Sequence, residues 1–418
     1  MPSEGEEREA GGVPASLSRA RPPWLEGLVG QILALLTSLG IAVLLGSILI
    51  VAYGETPIEV YSSILEASLG TIDGIGYVLA IATPLIFAAL AVAVCFKGGM
   101  FNIGVEGQYL VAMVTAAWAA LELGFLPGPL LVTAVLAAAM LGGMVWAAIP
   151  AILKVKTGAH EVVTTIMLNG IAVSLLAWAI NFPLRISERP GGQNVDLRTD
   201  QFPDGALIGD IGEFFGVTPG AHLSWLLFLA IAAAVLVWFL IRRMRLGYEA
   251  RAVGSSPGSA RAGGISIGAT QLKLFLISGA LAGLVGMQQI LADKGHLPQN
   301  YIVALGFTGI AVAFLGQNNP IGIVFAAILW GILSRGEVAL QIQSEVPREF
   351  VIILQGILIL SVVITYQIAK RRLAARQLQR AGEAGALEDS AAPEESSEPR
   401  EPAHEGTEAF QPTNERDG

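Results

Sequence analysis

Between two long apolar runs, the stretch CFKGGMFNIGVEGQY (Cys95 to Tyr109) sets Lys97, Asn102, Glu106 and Gln108 among glycines. A carboxylate in such surroundings could move a proton, hold a cation or bind a ligand hydroxyl, because an unsatisfied charge there is costly. Proton transfer or nucleophilic attack needs a partner group, and none is recognisable nearby in the chain. The string HEVVT, His160 to Thr164, opens like a zinc-protease helix but has Thr164 where the second histidine belongs. One histidine without another donor does not hold zinc. GSSPG, Gly254 to Gly258, has the spacing of a nucleophile elbow, yet it lies in a basic loop with no histidine near it. The four histidines, at 160, 222, 296 and 404, are scattered, and no phosphate-cradling Gly-x-x-x-x-Gly-Lys-Ser/Thr occurs. Catalysis is a poor reading of this chain, and no metal, cofactor or nucleic-acid site of its own is expected.

The elements that must position these groups are set by composition. Of 418 residues, 53 % are hydrophobic and 14 % charged, with mean hydropathy +0.62. Soluble domains carry about 25 % charged residues, so lipid must solvate much of this chain. The expected fold is an all-α polytopic membrane protein with about ten crossing helices, near 28–53, 75–96, 105–121, 129–153, 163–182, 223–241, 271–291, 302–316, 320–335 and 348–369. The third, eighth and ninth are short and broken by glycine. Helices are preferred to barrel strands because the runs are continuously apolar rather than alternating. MLGGMVW (140–146) and LAGLVGM (281–287) are weakly alike and rich in small residues, as close helix packing or an inverted repeat requires. Cys95, the single cysteine, reads as a small packing residue.

Alternate loops carry the basic residues: Arg19 and Arg21; Lys97; Lys154 and Lys156; Arg242, Arg243, Arg245, Arg251 and Arg261; Lys370, Arg371 and Arg372. Excess base marks the cytoplasmic side, so both termini are expected inside. The opposite side takes GETPIEVYSSILEASLGTIDG and an external loop, 183–224. Glu106 and Glu161 are expected at helix ends beside the cytoplasmic face, leaving the span centres almost free of ionisable groups. The flanks, a polar segment 1–27 and a tail 370–418, bracket a transmembrane domain 28–369. Residues 374–418 hold 11 acids against 4 arginines, and a tail so poor in large apolar residues is expected to stay disordered.

Residues 242–270 form the most informative cytoplasmic loop. Ser256 before Pro257 is a helix start, a hydroxyl cap followed by proline in the first turn, and Gly263 with Gly264 is a stop. A short helix over Pro257 to Ala262 is expected.

That loop, as YEARAVGSSPGSARAGGIS, resembles the cytoplasmic coupling segment of ABC importer permeases of the branched-chain amino acid and simple-sugar permease family. KGGMFNIGVEGQYL is similar to the family's Gly-Asn-Ile-Gly-x-Glu-Gly element, with Phe101 in place of the first glycine. GAHEVVTTIMLNGIA (158–172) and GFTGIAVAFLGQNNPIGIVFAAILWG (306–331) resemble two further elements, and the combination is closest to the nucleoside-uptake branch.

The resemblance implies a permease in a bacterial cytoplasmic membrane, carrying nucleosides or related simple sugars. It implies a second, unlike permease, separate ABC ATPase subunits that bind ATP-Mg, and an extracytoplasmic substrate-binding lipoprotein. Glu249, Arg251, Gly254, Pro257, Arg261 and Gly263 would form the ATPase contact. Polar or aromatic residues suited to the translocation path or its gate are Phe101, Asn102, Glu106, Gln108, Thr164, Thr165, Asn169, Gln288 and Thr308, with Gln289, Phe307 and Phe314 beside them. Alternatives are a branched-chain amino acid or ribose permease, and, from another class, an ion-coupled secondary carrier.

Overall fold

The computed structural model describes residues 23–185, 197–218, 220, 222–301, 303–343 and 349–362, with 364, 365, 368 and 371 beyond them. One compact unit covers Met1–Tyr366; of the second, Gln367–Gly418, only 368 and 371 are described. Residues 1–22 of the expected segment 1–27, most of the tail and part of the external loop lie outside the described residues.

All ten expected segments are helical. They are α1 (Pro23–Ala52), α3 (Ile72–Lys97), α4 (Val105–Glu122), α5 (Gly128–Thr157), α6 (Glu161–Asn181), α7 (Leu226–Arg243), α10 (Ile267–Gly283), α11 (Leu305–Leu315), α12 (Pro320–Gln343) and α13 (Glu349–Val362). Six of them are long and apolar enough to cross a membrane: α3, α5, α6, α7, α12, and α10 continued by a π-helical turn to Lys294. α1 joins a helix not anticipated, α2 (Pro57–Leu69), at a bend of 116°. Expecting GETPIEVYSSILEASLG to be a plain loop was wrong. Pro57 occupies the first turn, and an apolar face carrying Val60 and Ile64 packs onto the bundle. Ser68 Oγ donates to the carbonyl of Ile332 on α12 at 2.9 Å. α12 also outruns its expected limit, and Arg335 lies within it, stacked 4.1 Å from the Tyr77 ring centroid.

α3 is the axis of the bundle, buried on nearly every side. α10 runs antiparallel to it, since Cys95 meets Leu274 and Ala91 meets Ser278. α5 crosses α10 so closely that a Cβ on Gly143 would overlap the carbonyl of Gly279. The two similar glycine passages therefore face each other, and shared packing explains their likeness more directly than repetition does. The contacts follow another pairing. α12 lies along α3 as α5 lies along α10, and α11 lies on α3 as α4 lies on α10. Exchanging α3–α4–α5 with α10–α11–α12 thus maps one set of contacts onto the other.

α4 and α11 are the broken members. After Lys97 the chain turns back through Gly99, whose φ of +72° suits glycine, and returns beside α3 until Asn102 reaches the level of Ala91 and Ser278. On the other side α11 runs parallel to α3, with Gly309 against Ala88 and Phe314 against Phe96. Ala88 is nine residues from Lys97, ~14 Å at 1.5 Å per residue and about halfway through a ~30 Å hydrocarbon layer. Both half-helices therefore begin inside the bundle, N-terminus to N-terminus.

Candidate functional site

Glu106 joins the two starts. It sits in the first turn of α4, 6 % exposed, and its carboxylate reaches across to the first turn of α11. Oε1 accepts from the Ala304 N–H at 2.8 Å and from the Tyr109 hydroxyl at 3.0 Å; Oε2 accepts from the Gly306 N–H at 2.8 Å. Ala304, at φ +68°, caps α11 in the left-handed region, and its own side chain has no oxygen to receive those N–H groups. The carboxylate of another helix supplies the cap, and the positive ends of two helices favour its charge. A Cβ on Gly306 would collide with the Glu106 backbone, so glycine there permits the approach. Glu106 thus lies deep in the bundle rather than beside the cytoplasmic face, which corrects its expected placement. The turn-back after Lys97 carries it there. Glu161 does lie at a helix end, paired with Lys154 at 2.6 Å.

Asn102 organises the turn-back. Its Nδ2 donates to Gln108 Oε1 at 3.1 Å and Ser278 Oγ at 2.9 Å, while Oδ1 accepts from Gly104 N at 2.9 Å and Gln108 Nε2 at 3.2 Å. All four of its hydrogen-bonding positions are used. Asn169 on α6 receives the Gly107 N–H at 2.8 Å and donates to the Ile103 carbonyl at 3.1 Å. Asn102 with Gln108, and Asn169 separately, hold the chain around the first turn of α4, and Glu106 ties that turn to the start of α11.

Of the other expected path residues, Thr165 packs against Gly104 beside Asn102 and Gln108. Thr165 and Thr164 bond back to the Glu161 carbonyl on their own helix, at 2.7 Å and 3.1 Å. Gln288 accepts from Ser224 Oγ at 2.6 Å, near the far end of α10. Thr308 follows the cap on α11, and Phe101 stacks on Phe314 at 6.0 Å between ring centroids. Sequence reasoning missed Ser278, Ala304 and Gly306. The first was legible as a lone hydroxyl in SGALAGL; the other two act through backbone N–H groups, which no residue type announces.

Two straps grip the legs that lead to the half-helices. On one side lie α8 (Arg245–Ser255) and α9 (Pro257–Ala262), the latter matching the expected short helix. Ser256 Oγ accepts from the Ser259 N–H at 3.3 Å, Ala260 is buried, and Pro257, Arg261 and Gly263 are exposed. Glu249 bonds Arg245 at 2.7 Å and Thr270 on α10 at 3.3 Å, and the Arg251 guanidinium donates to the Ile241 carbonyl at the end of α7. Gly254 lies backbone to backbone against Lys97 and Gly99. On the other side, residues 197–211 are laced to 291–299. Thr199 N donates to Leu297 O at 3.1 Å, Gln299 N to Leu197 O at 2.9 Å, Phe202 N to Gly295 O at 2.8 Å and Ile208 N to Leu291 O at 3.0 Å.

The site is a buried junction of two half-helices, with one strap on each leg. The family described as branched-chain amino acid transport system / permease component matches residues 74–363. A glucose ABC transporter permease of Haloferax volcanii is 31 % identical over 84 % of this chain and 91 % of its own length. A guanosine ABC transporter permease of Bacillus subtilis is 35 % identical over 77 % and 90 %, and a nucleoside ABC transporter permease of Lactococcus lactis 33 % over 80 % and 92 %. In each of these organisms a second permease named for the same solute also matches, at 28–29 % identity over 60–64 % of this chain. This multi-pass membrane chain belongs to the permease components of the branched-chain amino acid transport system family.

Proposed function

We propose that this chain is one of two unlike permease subunits of an ATP-driven importer for nucleosides or related simple sugars. The recurrence of paired permeases named for one solute supports a partner that is similar but not identical. The basic loops support a cytoplasmic membrane location with α8, α9 and both termini inside. The relatives' names favour ATP drive over an ion gradient. ATP-Mg is used on the partner ATPase, this chain catalyses nothing, and an extracytoplasmic lipoprotein delivers the solute to the 197–218 side.

The observation that carries this reading is the position of α9. Its exposed face, Pro257, Arg261 and Gly263, is available to an ATPase, while Gly254 one turn earlier rests on the leg that leads to Asn102 and Glu106. Closure of the ATPase pair displaces α9, and the displacement reaches the two half-helix starts through a backbone contact. A pathway beside that junction then opens to one side or the other.

The test is uptake into proteoliposomes holding both permeases, the ATPase and the binding protein. Labelled guanosine, or failing that a simple sugar such as glucose, should accumulate with ATP. Uptake of leucine alone would overturn the solute class. Accumulation by the permeases under a sodium or proton gradient, without ATPase, would overturn the mechanism.

A further inference from the structure

Where α3 and α7 end and α12 begins, a cavity of about 210 Å³ opens at the surface of the bundle. Lys97, Trp238, Arg242, Gln317, Asn318 and Asn319 line it: two cations, three amides and an indole, with no acid among them. Neither cation belongs to any ion pair among the described residues. Arg242 lies over the Trp238 ring at 5.6 Å, an aromatic and a base together at a helix end as membrane interfaces favour. Asn318 is 6 % exposed, and its side-chain oxygen is buried with no hydrogen-bond partner. A water or a ligand group bound in the cavity would satisfy such an acceptor. Within the turn before Trp238 and beside it on α7, Val235, Leu236 and Phe239 form an exposed apolar strip.

We propose that this cavity holds the head group of an anionic phospholipid. Its phosphate lies between Lys97 and Arg242, a head-group hydroxyl donates to Asn318, and its acyl chains follow the exposed strip of α7. A cavity of about 210 Å³ leaves room for a phosphodiester with a small alcohol. Free phosphate would meet the two cations and leave the apolar strip unused. Basic pockets between helices at a membrane surface select anionic head groups for this combination of charge and adjoining lipid face. Because Lys97 is also the residue from which the chain turns back toward Asn102, the lipid would brace the inner leg. The lipid site is independent of which solute the transporter carries.

Native mass spectrometry of the full transporter complex in detergent tests it, with phosphatidylglycerol and phosphatidylcholine of the same chain length as probes. Phosphatidylglycerol adducts should persist where phosphatidylcholine adducts are stripped. Each basic residue near an anionic group is worth roughly fivefold, so K97Q with R242Q should weaken retention by well over tenfold. R242Q alone, at an exposed side chain, should cost roughly fivefold and serves if the pair fails to fold. R243Q, at the same helix end and outside the cavity, should change nothing. Equal retention of the two lipids, or unchanged retention in R242Q, overturns the proposal. So does displacement of phosphatidylglycerol by millimolar inorganic phosphate, which marks a free-anion site. Adducts that appear only after the ATPase is removed would mean that an acidic group of that subunit fills the cavity.

Discussion

Glu106 is a carboxylate deep in a membrane bundle, held by two backbone N–H groups and a phenol. An ionisable residue in that position is usually functional, and here its visible work is to cap a helix that begins where no water can. Glu106→Ala strands two buried donors, each costing about 1–3 kcal/mol, so the melting temperature in detergent should fall and uptake should vanish with it. Glu106→Gln keeps one acceptor and should retain more of both. Asn102 separates structure from ligand binding in the same way. Asn102→Ala should lower stability by a similar amount; a raised half-saturation for solute with unchanged melting would make Asn102 a ligand contact instead. At the surface the expectation reverses. Arg261→Glu on exposed α9 should abolish co-purification of the ATPase and leave melting unchanged. Arg251→Ala, which frees the Ile241 carbonyl, should lower melting as well.

At the scale of elements, the crossing of α5 and α10 is set by Gly143 and Gly279, whose backbones touch. Gly143→Ala forces the helices apart and should cost about 1–3 kcal/mol in a melt monitored by size exclusion; Gly170→Ala, which meets nothing within 4 Å, is the control. These helices were legible in the sequence because apolar length and small-residue content are local properties. α9 was legible for the same reason, its cap and stop lying within eight residues, Ser256 to Gly263. α2 was not, because its apolar face is half of a short helix and becomes visible only against α12. The depth of Glu106 was not legible either. Lys97 and the glycines after it read as a loop at the surface, and nothing local says that the chain turns inward. Its partner N–H groups lie 198 and 200 residues away, so only the fold brings the junction together.

The whole molecule places one strap on each leg of one junction. α8–α9 touches the leg to α4 through Gly254 and Gly99; residues 197–211 bind the leg to α11 through Thr199 and Leu297. Mutations at sites so far apart ordinarily add within about 0.3–0.5 kcal/mol. They should not add here if Glu106 transmits displacement between the half-helices. Gly254→Ala pushes on Lys97, and Thr199→Val removes the hydroxyl that receives the Leu297 N–H at 3.1 Å. Each alone should reduce the stimulation of ATPase activity by solute-loaded binding protein. Combined, they should depart from additivity by more than about 0.5 kcal/mol in that rate, the signature of a shared two-state element. The departure should shrink in a Glu106→Gln background, where the link between α4 and α11 is weakened at its centre. Additive effects in both backgrounds would mean that the straps act on separate steps and that Glu106 holds the junction together without transmitting anything through it.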